Sequence, residues 1–373
     1  MVHPERFYKH LSGKGIDFFT GVPDSLLKSL LIYFHQNINH SQHIITANEG
    51  LAIALAAGYN ISTGKLPLVY MQNSGLGNAI NPLTSLADQE VYSVPMLLLI
   101  GWRGRPGKQD EPQHIKMGKI TSTILEVLGI PFFILSEDES KNFLLIDEAI
   151  ALTVSQQKPV ALLVPGEVFE ESPTLSSNST YPLSREFVLN ELLHHFRDEV
   201  IVCSTGKASR ELFELNQHLS EPLIKTFLTV GSMGLANHIA LGIDMHSSQR
   251  MVMIDGDGSL LMHMGSMATI ASLAKDDFVH ILINNGCHES VGAQPTLGFD
   301  IDFCAIARAC GYQRTYCIGK EQELISWLQT GYAAKEKQFV EIRVHSGSRS
   351  DLARPTKSPL ERKDDLMKAL KSK

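Results

Sequence analysis

Two short clusters hold the residue types that grip phosphate and metal: Gly256-Asp257-Gly258-Ser259 and Asn284-Asn285-Gly286. The 25 residues 259–283 separate Gly258 from Asn284. Glycines at a strand-to-helix turn let backbone N–H groups close on a phosphate at a helix N-terminus. A carboxylate and an amide oxygen are hard donors for a divalent cation riding on that phosphate. The apolar run 251–254 reads as a buried strand delivering the first cluster, 259–274 as the helix behind it, and 280–283 as the strand delivering Asn285. Both clusters then fall at the carboxyl ends of strands, the usual place for ligands in open α/β sheets.

Two other motif readings fail on spacing. Asp255-Gly256-Asp257-Gly258-Ser259 starts like an EF-hand calcium loop, which takes Gly at its sixth position and Glu at its twelfth. Leu260 and Ser266 stand there. Thr205-Gly206-Lys207-Ala208 ends like a Walker loop, but Ile201 occupies the place of its first glycine and Ala208 that of its hydroxyl residue.

The pair of clusters resembles the cofactor motif of the thiamin-diphosphate-dependent enzymes. The resemblance implies thiamin diphosphate carried on Mg²⁺. Asp257, Asn285 and the backbone carbonyl of Cys287 would be the metal ligands, and Gly256, Gly258, Ser259, Thr205 and Gly206 would lie at the diphosphate. The family also places a Glu beside the pyrimidine ring, at a strand end before a helix of small residues. Glu49 in the run 44–58 (IITANEGLAIALAAG) matches. A bulky apolar side chain bends the cofactor, two residues after a Gly whose carbonyl holds the amino group. Met233 and Gly231 in 231–234 (GSMG) match. Taken alone, Glu49 would be a first-turn acid favoured by a helix dipole, and Met233 a core methionine under a glycine turn. The paired clusters weigh both toward the cofactor.

The elements that must position these residues follow one rhythm. Strands are expected near 16–20, 43–47, 66–71, 94–100, 131–135 and 159–164, with helices near 24–36, 49–60, 75–88, 112–128 and 140–156. After the Ser/Thr/Pro-rich segment 170–184, strands resume near 199–203, 223–229, 251–255, 278–283, 313–318 and 339–344. Short apolar strands with helical crossovers argue parallel sheets covered on both faces. The expected fold class is therefore α/β. It comprises a pyrimidine-side domain over 1–169, a linker over 170–184, a diphosphate-side domain over 185–349 and a charged C-terminal tail over 350–373, with no middle domain. No sequence-level repeat relates the halves.

The chain's 373 residues suffice for two such domains, and 43% hydrophobic with 20% charged residues suits a globular core. The net charge of −7 implies no general affinity for nucleic acid. Five cysteines (203, 287, 304, 310 and 317) without a C-x-x-C suggest reduced thiols and a cytoplasmic setting. The first residues form no apolar signal segment, and runs such as 95–100 are too short to span a bilayer.

Five further stretches narrow the resemblance: 21–25 (GVPDS), 71–82 (MQNSGLGNAINP), 102–114 (WRGRPGKQDEPQH), 284–296 (NNGCHESVGAQPT) and 347–355 (GSRSDLARP). They look like the branch of the family that decarboxylates 3-phosphonopyruvate to phosphonoacetaldehyde in phosphonate biosynthesis. Glycine is expected in that branch where Ala293 and Ala353 stand. Asp24 is similar in place to an acid that manages protons in family decarboxylases, and His114 is a second candidate. A phosphonate dianion wants Arg or Lys; Arg103, Arg105, Lys108, Arg349 and Arg354 are available, with His288 beside the metal loop. Each of these basic residues could equally be a solvated surface charge, and His194 and His195 read as surface. The alternatives are a sulfopyruvate decarboxylase, a carboligase and a non-enzymatic thiamin diphosphate binder. The resemblance also implies a homo-oligomer, at least a dimer, with active sites where chains meet and no nucleic-acid or membrane partner.

Overall fold

The computed structural model describes residues 1–166, 168–173, 175, 181–353 and 355–371. The chain divides into two compact units, 1–175 with 291–294 and 176–290 with 295–373.

In the first unit, β1 (Phe19–Gly21), β2 (His43–Ile45), β3 (Leu68–Gln72), β4 (Leu97–Gly101), β5 (Phe132–Ile134) and β6 (Val160–Val164) form one sheet. Its order is β2-β1-β3-β4-β6-β5, and every pair is parallel. Parallel neighbours need crossovers. These are α2 (Lys28–Asn37), α3 (Glu49–Thr63), α4 (Leu76–Ser85), α5 (Pro112–Val127) and α6 (Glu139–Gln156), preceded by α1 (Pro4–Gly13). Leu97 and Leu99 join Leu68 and Tyr70 in the core on one face, while Leu98 and Ile100 join Val69 and Met71 on the other. Burial of both faces is why these strands read as unbroken apolar runs.

The second unit repeats the plan. β7 (Val200–Cys203), β8 (Thr226–Leu228), β9 (Met251–Gly256), β10 (Val279–Asn284), β11 (Arg314–Ile318) and β12 (Gln338–Arg343) form a parallel sheet in the order β11-β12-β10-β9-β7-β8. Counted from each unit's first strand, the two orders are the same. Ile254 and Ile281 lie in the core on one face, Met253 and Leu282 on the other. The repeat is one of architecture, as the sequence implied. The first helices of this unit are α7 (Arg185–His195), α8 (Lys207–His218) and α9 (Ala236–His246).

Several details differ from the sequence reading. The single helix expected over 259–274 is two, α10 (Asp257–Met262) and α11 (Ser266–Leu273). His263 leaves helical geometry at φ −138° and ψ 48°, and its N–H turns back to the Leu260 carbonyl. α2 starts at Lys28, because Asp24 first closes a turn by accepting the Leu26 N–H at 3.0 Å. α1 has no counterpart in the expected elements; only Pro4, Phe7 and Leu11 of its ten residues are buried, a faint apolar stripe. After α12 (Phe303–Cys310) and α13 (Glu321–Ser326), the charged tail forms α14 (Pro359–Lys371), with Leu366 and Ala369 buried. His194 and His195, in the last turn of α7, are exposed. Among the described residues all five cysteines are free, and no helix is long and apolar enough to cross a membrane.

The loop after β4 is held by backbone packed against α5. Trp102 donates its indole N–H to the Gly118 carbonyl at 2.8 Å, and a Cβ on Gly118 would stand 1.8 Å from the Gly104 carbonyl oxygen. Gly118→Ala must therefore push the 102–104 loop away. Overpacking of this kind costs about 1–3 kcal/mol. A fall in the urea midpoint with an unchanged slope is the expected result.

Candidate active site

In the first unit the strand order reverses between β1 and β3, the switch point beyond whose strand ends open α/β sheets bind ligands. Asp24, from the loop after β1, is fully buried there and accepts a hydrogen bond on Oδ2 from Gln72, the last residue of β3, at 2.7 Å. Ser74 Oγ donates to Gln72 Oε1 at 2.6 Å and so orients the amide. Burial pushes the Asp24 carboxyl above its usual value, against the hydrogen bonds from Gln72 and Leu26 and the charge of Arg103. Arg103 follows β4. Its Nε donates to Asp110 Oδ2 at 2.8 Å, its second terminal nitrogen to Asp110 Oδ1, and its first to Ser25 Oγ at 2.8 Å. Each terminal nitrogen keeps one further N–H to offer. The Arg103 hydrogen bond holds the Asp110 carboxyl below its usual value. His114, half-buried in the first turn of α5, has a buried Nδ1 with no hydrogen-bond partner among the described residues. Burial, and then the Arg103 charge, lower its pKa, which favours the neutral ring.

Glu49 opens α3 just after β2. Asn48 caps the helix, its Oδ1 accepting the Gly50 N–H at 2.8 Å. The Glu49 side chain is buried against Gly75, and Asn78 Nδ2 donates to Oε2 at 2.7 Å. Asn78 was not singled out in the sequence; it stands 29 residues on, in the 71–82 stretch. Arg105 and Lys108 are exposed, the Arg105 guanidinium lying 5.8 Å from the Trp102 ring centroid.

In the second unit two turns converge. Gly231, Ser232 and Gly234 have φ of 73°, 47° and 85°, and the Gly234 N–H donates to Ser259 Oγ at 3.1 Å. Ser232 is a non-glycine residue in the left-handed region, a local cost of about 1–2 kcal/mol. Met233, between them, brings its methyl to 3.3 Å from where a Cβ on Gly258 would sit; the His288 ring would be 2.5 Å from the same point. Only glycine at 258 admits both neighbours. Burial lowers the His288 pKa to about 4, so its ring is neutral near pH 7. Thr205 and Gly206 follow β7, and Gly206, at φ 110°, caps α8. The Ser204 N–H donates to the Ile254 carbonyl at 2.9 Å and ties that loop to β9.

Asp257 is buried and has no ion-pair partner among the described residues. Burial pushes its carboxyl up to about 6, against hydrogen bonds from the Thr296 hydroxyl and from the N–H groups of Asp257, Gly258 and Asn285. The Asn285 backbone therefore touches Asp257. The Asn285 side-chain oxygen accepts the Cys287 N–H at 3.2 Å, and its amide nitrogen donates to Glu289 Oε2 at 3.0 Å. Burial, and then the charge of Asp257, push the Cys287 thiol up to about 12, so the sulfur is a neutral thiol. No cluster of three His, Cys, Asp or Glu side chains that could hold a metal occurs among the described residues. The expected set has one carboxylate, one amide oxygen and one carbonyl, a hard-oxygen donor set that suits Mg²⁺ better than zinc. A lone buried carboxylate in contact with the Asn285 backbone suits a divalent cation.

Arg349 is exposed and engages Glu186 at 3.0 Å, Asp351 at 3.2 Å and Glu214 in a surface ion network. Arg354 lies outside the described residues. Ala293, where the sequence suggested glycine, has φ 58°, a left-handed conformation that glycine adopts freely.

Residues 4–122 match the family described as thiamine pyrophosphate enzyme, N-terminal TPP binding domain, and residues 205–343 match the C-terminal TPP binding domain. The chain is 34% identical to a phosphonopyruvate decarboxylase of Streptomyces viridochromogenes, over 94% of this chain and 90% of that protein. A second phosphonopyruvate decarboxylase, from Streptomyces hygroscopicus, is 33% identical over the same shares. A sulfopyruvate decarboxylase of Methanosarcina acetivorans is 28% identical over 93% of each chain. Two cofactor-domain matches and similarity running through whole relatives lead to one conclusion: the chain belongs to the thiamine pyrophosphate enzyme family.

Proposed function

We propose that this protein decarboxylates 3-phosphonopyruvate to phosphonoacetaldehyde and carbon dioxide, using thiamin diphosphate and Mg²⁺. The observation that carries the reading is the 34% identity to a phosphonopyruvate decarboxylase along nearly the whole of both chains. The 28% identity to a sulfopyruvate decarboxylase makes the sulfonate analogue the second reading. Carbon dioxide release from phosphonopyruvate, sulfopyruvate and pyruvate, measured side by side, tests both. The expected order puts phosphonopyruvate first, and a higher specificity constant for sulfopyruvate would replace the reading.

When bound, thiamin diphosphate supplies the electron sink that decarboxylation of a 2-oxo acid requires. Asp257, Asn285 and the Cys287 carbonyl would hold the metal. Thr205, Gly206, Gly256, Gly258 and Ser259 would line the diphosphate. The Gly231 carbonyl would accept from the cofactor's amino group, and Met233 would pack against the cofactor. Glu49, its carboxyl oriented by Asn78, would give a proton to and take one from the pyrimidine ring nitrogen. Burial raises the Asp24 pKa and favours its protonated form, which suits it to hold a proton. His114 and His288 offer neutral rings that can donate or accept.

Arg103 is the first choice for the distal phosphonate. It is the half-buried guanidinium beside the first unit's switch point, already oriented by Asp110 and Ser25. Arg349 already faces three carboxylates, and Arg105 and Lys108 stand in solvent, where a single charge contributes little. The working unit is a homo-oligomer, at least a dimer, in which Glu49 of one chain serves the Asp257 half-site of another. A cytoplasmic location suits the five free cysteines.

Two variants test these roles. Glu49→Gln keeps the shape and the Asn78 contact but cannot deliver the proton; turnover should fall by about a hundredfold or more, with thiamin diphosphate affinity nearly unchanged. Turnover near wild type would assign cofactor activation to another carboxyl. Arg103→Ala should lower the specificity constant for phosphonopyruvate by the ~2–5 kcal/mol of a lost desolvated charge pair, while slow turnover of pyruvate, which lacks the phosphonate, changes little. A wild-type ratio of the two constants would move the phosphonate site elsewhere.

A further inference from the structure

Behind the Asn285 loop lies a buried charge cluster that the roles above leave unused. Arg185, the first residue of α7, is buried and bridges two carboxylates. Its Nε and one terminal nitrogen donate to Glu211 of α8 at 2.6 and 2.8 Å, and its other terminal nitrogen donates to Glu289 Oε2 at 2.6 Å. Glu289 Oε2 also accepts the Asn285 amide at 3.0 Å. Charges taken this far from water persist only when paired and hydrogen-bonded, and here the pairing ends on one side chain of the metal loop.

We infer that Arg185 and Glu289 form a positioning pair that forces Asn285 to present its oxygen, not its nitrogen, to the metal. An Asn side chain can point either end at a cation, and the two ends differ little in shape. An ionised carboxylate can only accept, so whichever end of Asn285 faces Glu289 must be the NH₂. The oxygen then faces the other way, where it takes the Cys287 N–H at 3.2 Å. The Arg185 guanidinium, 2.6 Å from Glu289 Oε2, pairs with that carboxylate as an ion. Glu211 engages the far side of the guanidinium and fixes its plane. The pair thus acts at one remove from the metal, as outer partners of metal ligands commonly do.

The inference rests on Asn285 being a metal ligand, so the test separates the two claims. Mn²⁺ binding to the full-length protein, with thiamin diphosphate present, is titrated by electron paramagnetic resonance, and thermal unfolding is recorded for each variant. Asn285→Ala tests the ligand itself and should lower Mn²⁺ affinity. Glu289→Gln leaves an amide that can meet either end of Asn285, and affinity should fall about 10–100-fold, as for lost outer-sphere partners. The paired variant Asn285→Asp with Glu289→Gln keeps the summed charge of the two positions. Its carboxylate presents an oxygen in any orientation, and the amide introduced at position 289 can only donate to it. That variant should recover at least about tenfold of the loss. A loss in Asn285→Ala without one in Glu289→Gln would overturn the positioning role while leaving the ligand intact. No loss in Asn285→Ala would remove the ligand assignment and the inference with it. If Glu289→Gln does not fold, the paired variant decides: affinity within about tenfold of wild type supports the pair, and a weaker site overturns it.

Discussion

A buried carboxylate with no cationic side chain paired to it among the described residues is the constraint around which the second unit is organised. Asp257 gathers a hydroxyl from Thr296 and several backbone N–H groups, yet burial still lifts its pKa to about 6. Hydrogen bonds alone do not fully offset the desolvation of a charge in that position. A divalent cation would, and the proposed further ligands, the Asn285 side-chain oxygen and the Cys287 carbonyl, add no charge. The surrounding features follow from keeping this carboxylate in place. Gly258 has no side chain because His288 and Met233 fill that space. Asn284 donates to Glu341 at 2.8 Å and to the Gly298 carbonyl at 2.6 Å, which holds the 284–298 loop where Thr296 reaches Asp257.

The two sheets share a strand order but place different chemistry at equivalent strand ends. The first strand leads to Asp24 in one unit and Thr205 in the other. The second leads to Glu49 or to the 231–234 turn, the third to Gln72 or Asp257, and the fourth to Arg103 or Asn285. The first unit offers acids, an arginine and a neutral histidine, groups for handling protons and an anionic substrate. The second offers glycine turns and hard oxygens, groups for holding a metal-bound phosphate. One scaffold thus carries both sets of groups in the loops at its carboxyl edge.

Most strands were legible in the sequence because both faces of each sheet are buried, and apolar runs such as 68–71 and 97–100 have no competing helical reading at that length. The helix break at His263 was not legible. Residues 259–274 carry continuous helical patterning, and the break depends on backbone geometry that no periodicity records. Asp257 and Asn285 were singled out from the spacing of their two clusters. The hydrogen-bonded partners across the fold were not legible: Asn78 lies 29 residues from Glu49, and Arg185 lies 104 from Glu289. Such pairs are made by the fold, from charged and amide residues that look solvated in sequence. Ala293 is the reverse case. A glycine was expected there, and the chain adopts the left-handed φ of 58° with an alanine in place.

The proposed role of Asp257 is to hold a metal that would carry the diphosphate. Equilibrium dialysis of thiamin diphosphate against the wild-type protein and Asp257→Ala, each with Mg²⁺ or with a chelator, measures this directly. The account predicts tight binding only by the wild-type protein in Mg²⁺, with retention lost both on chelation and in the variant. Wild-type affinity in Asp257→Ala, or in the chelated wild-type protein, would contradict it.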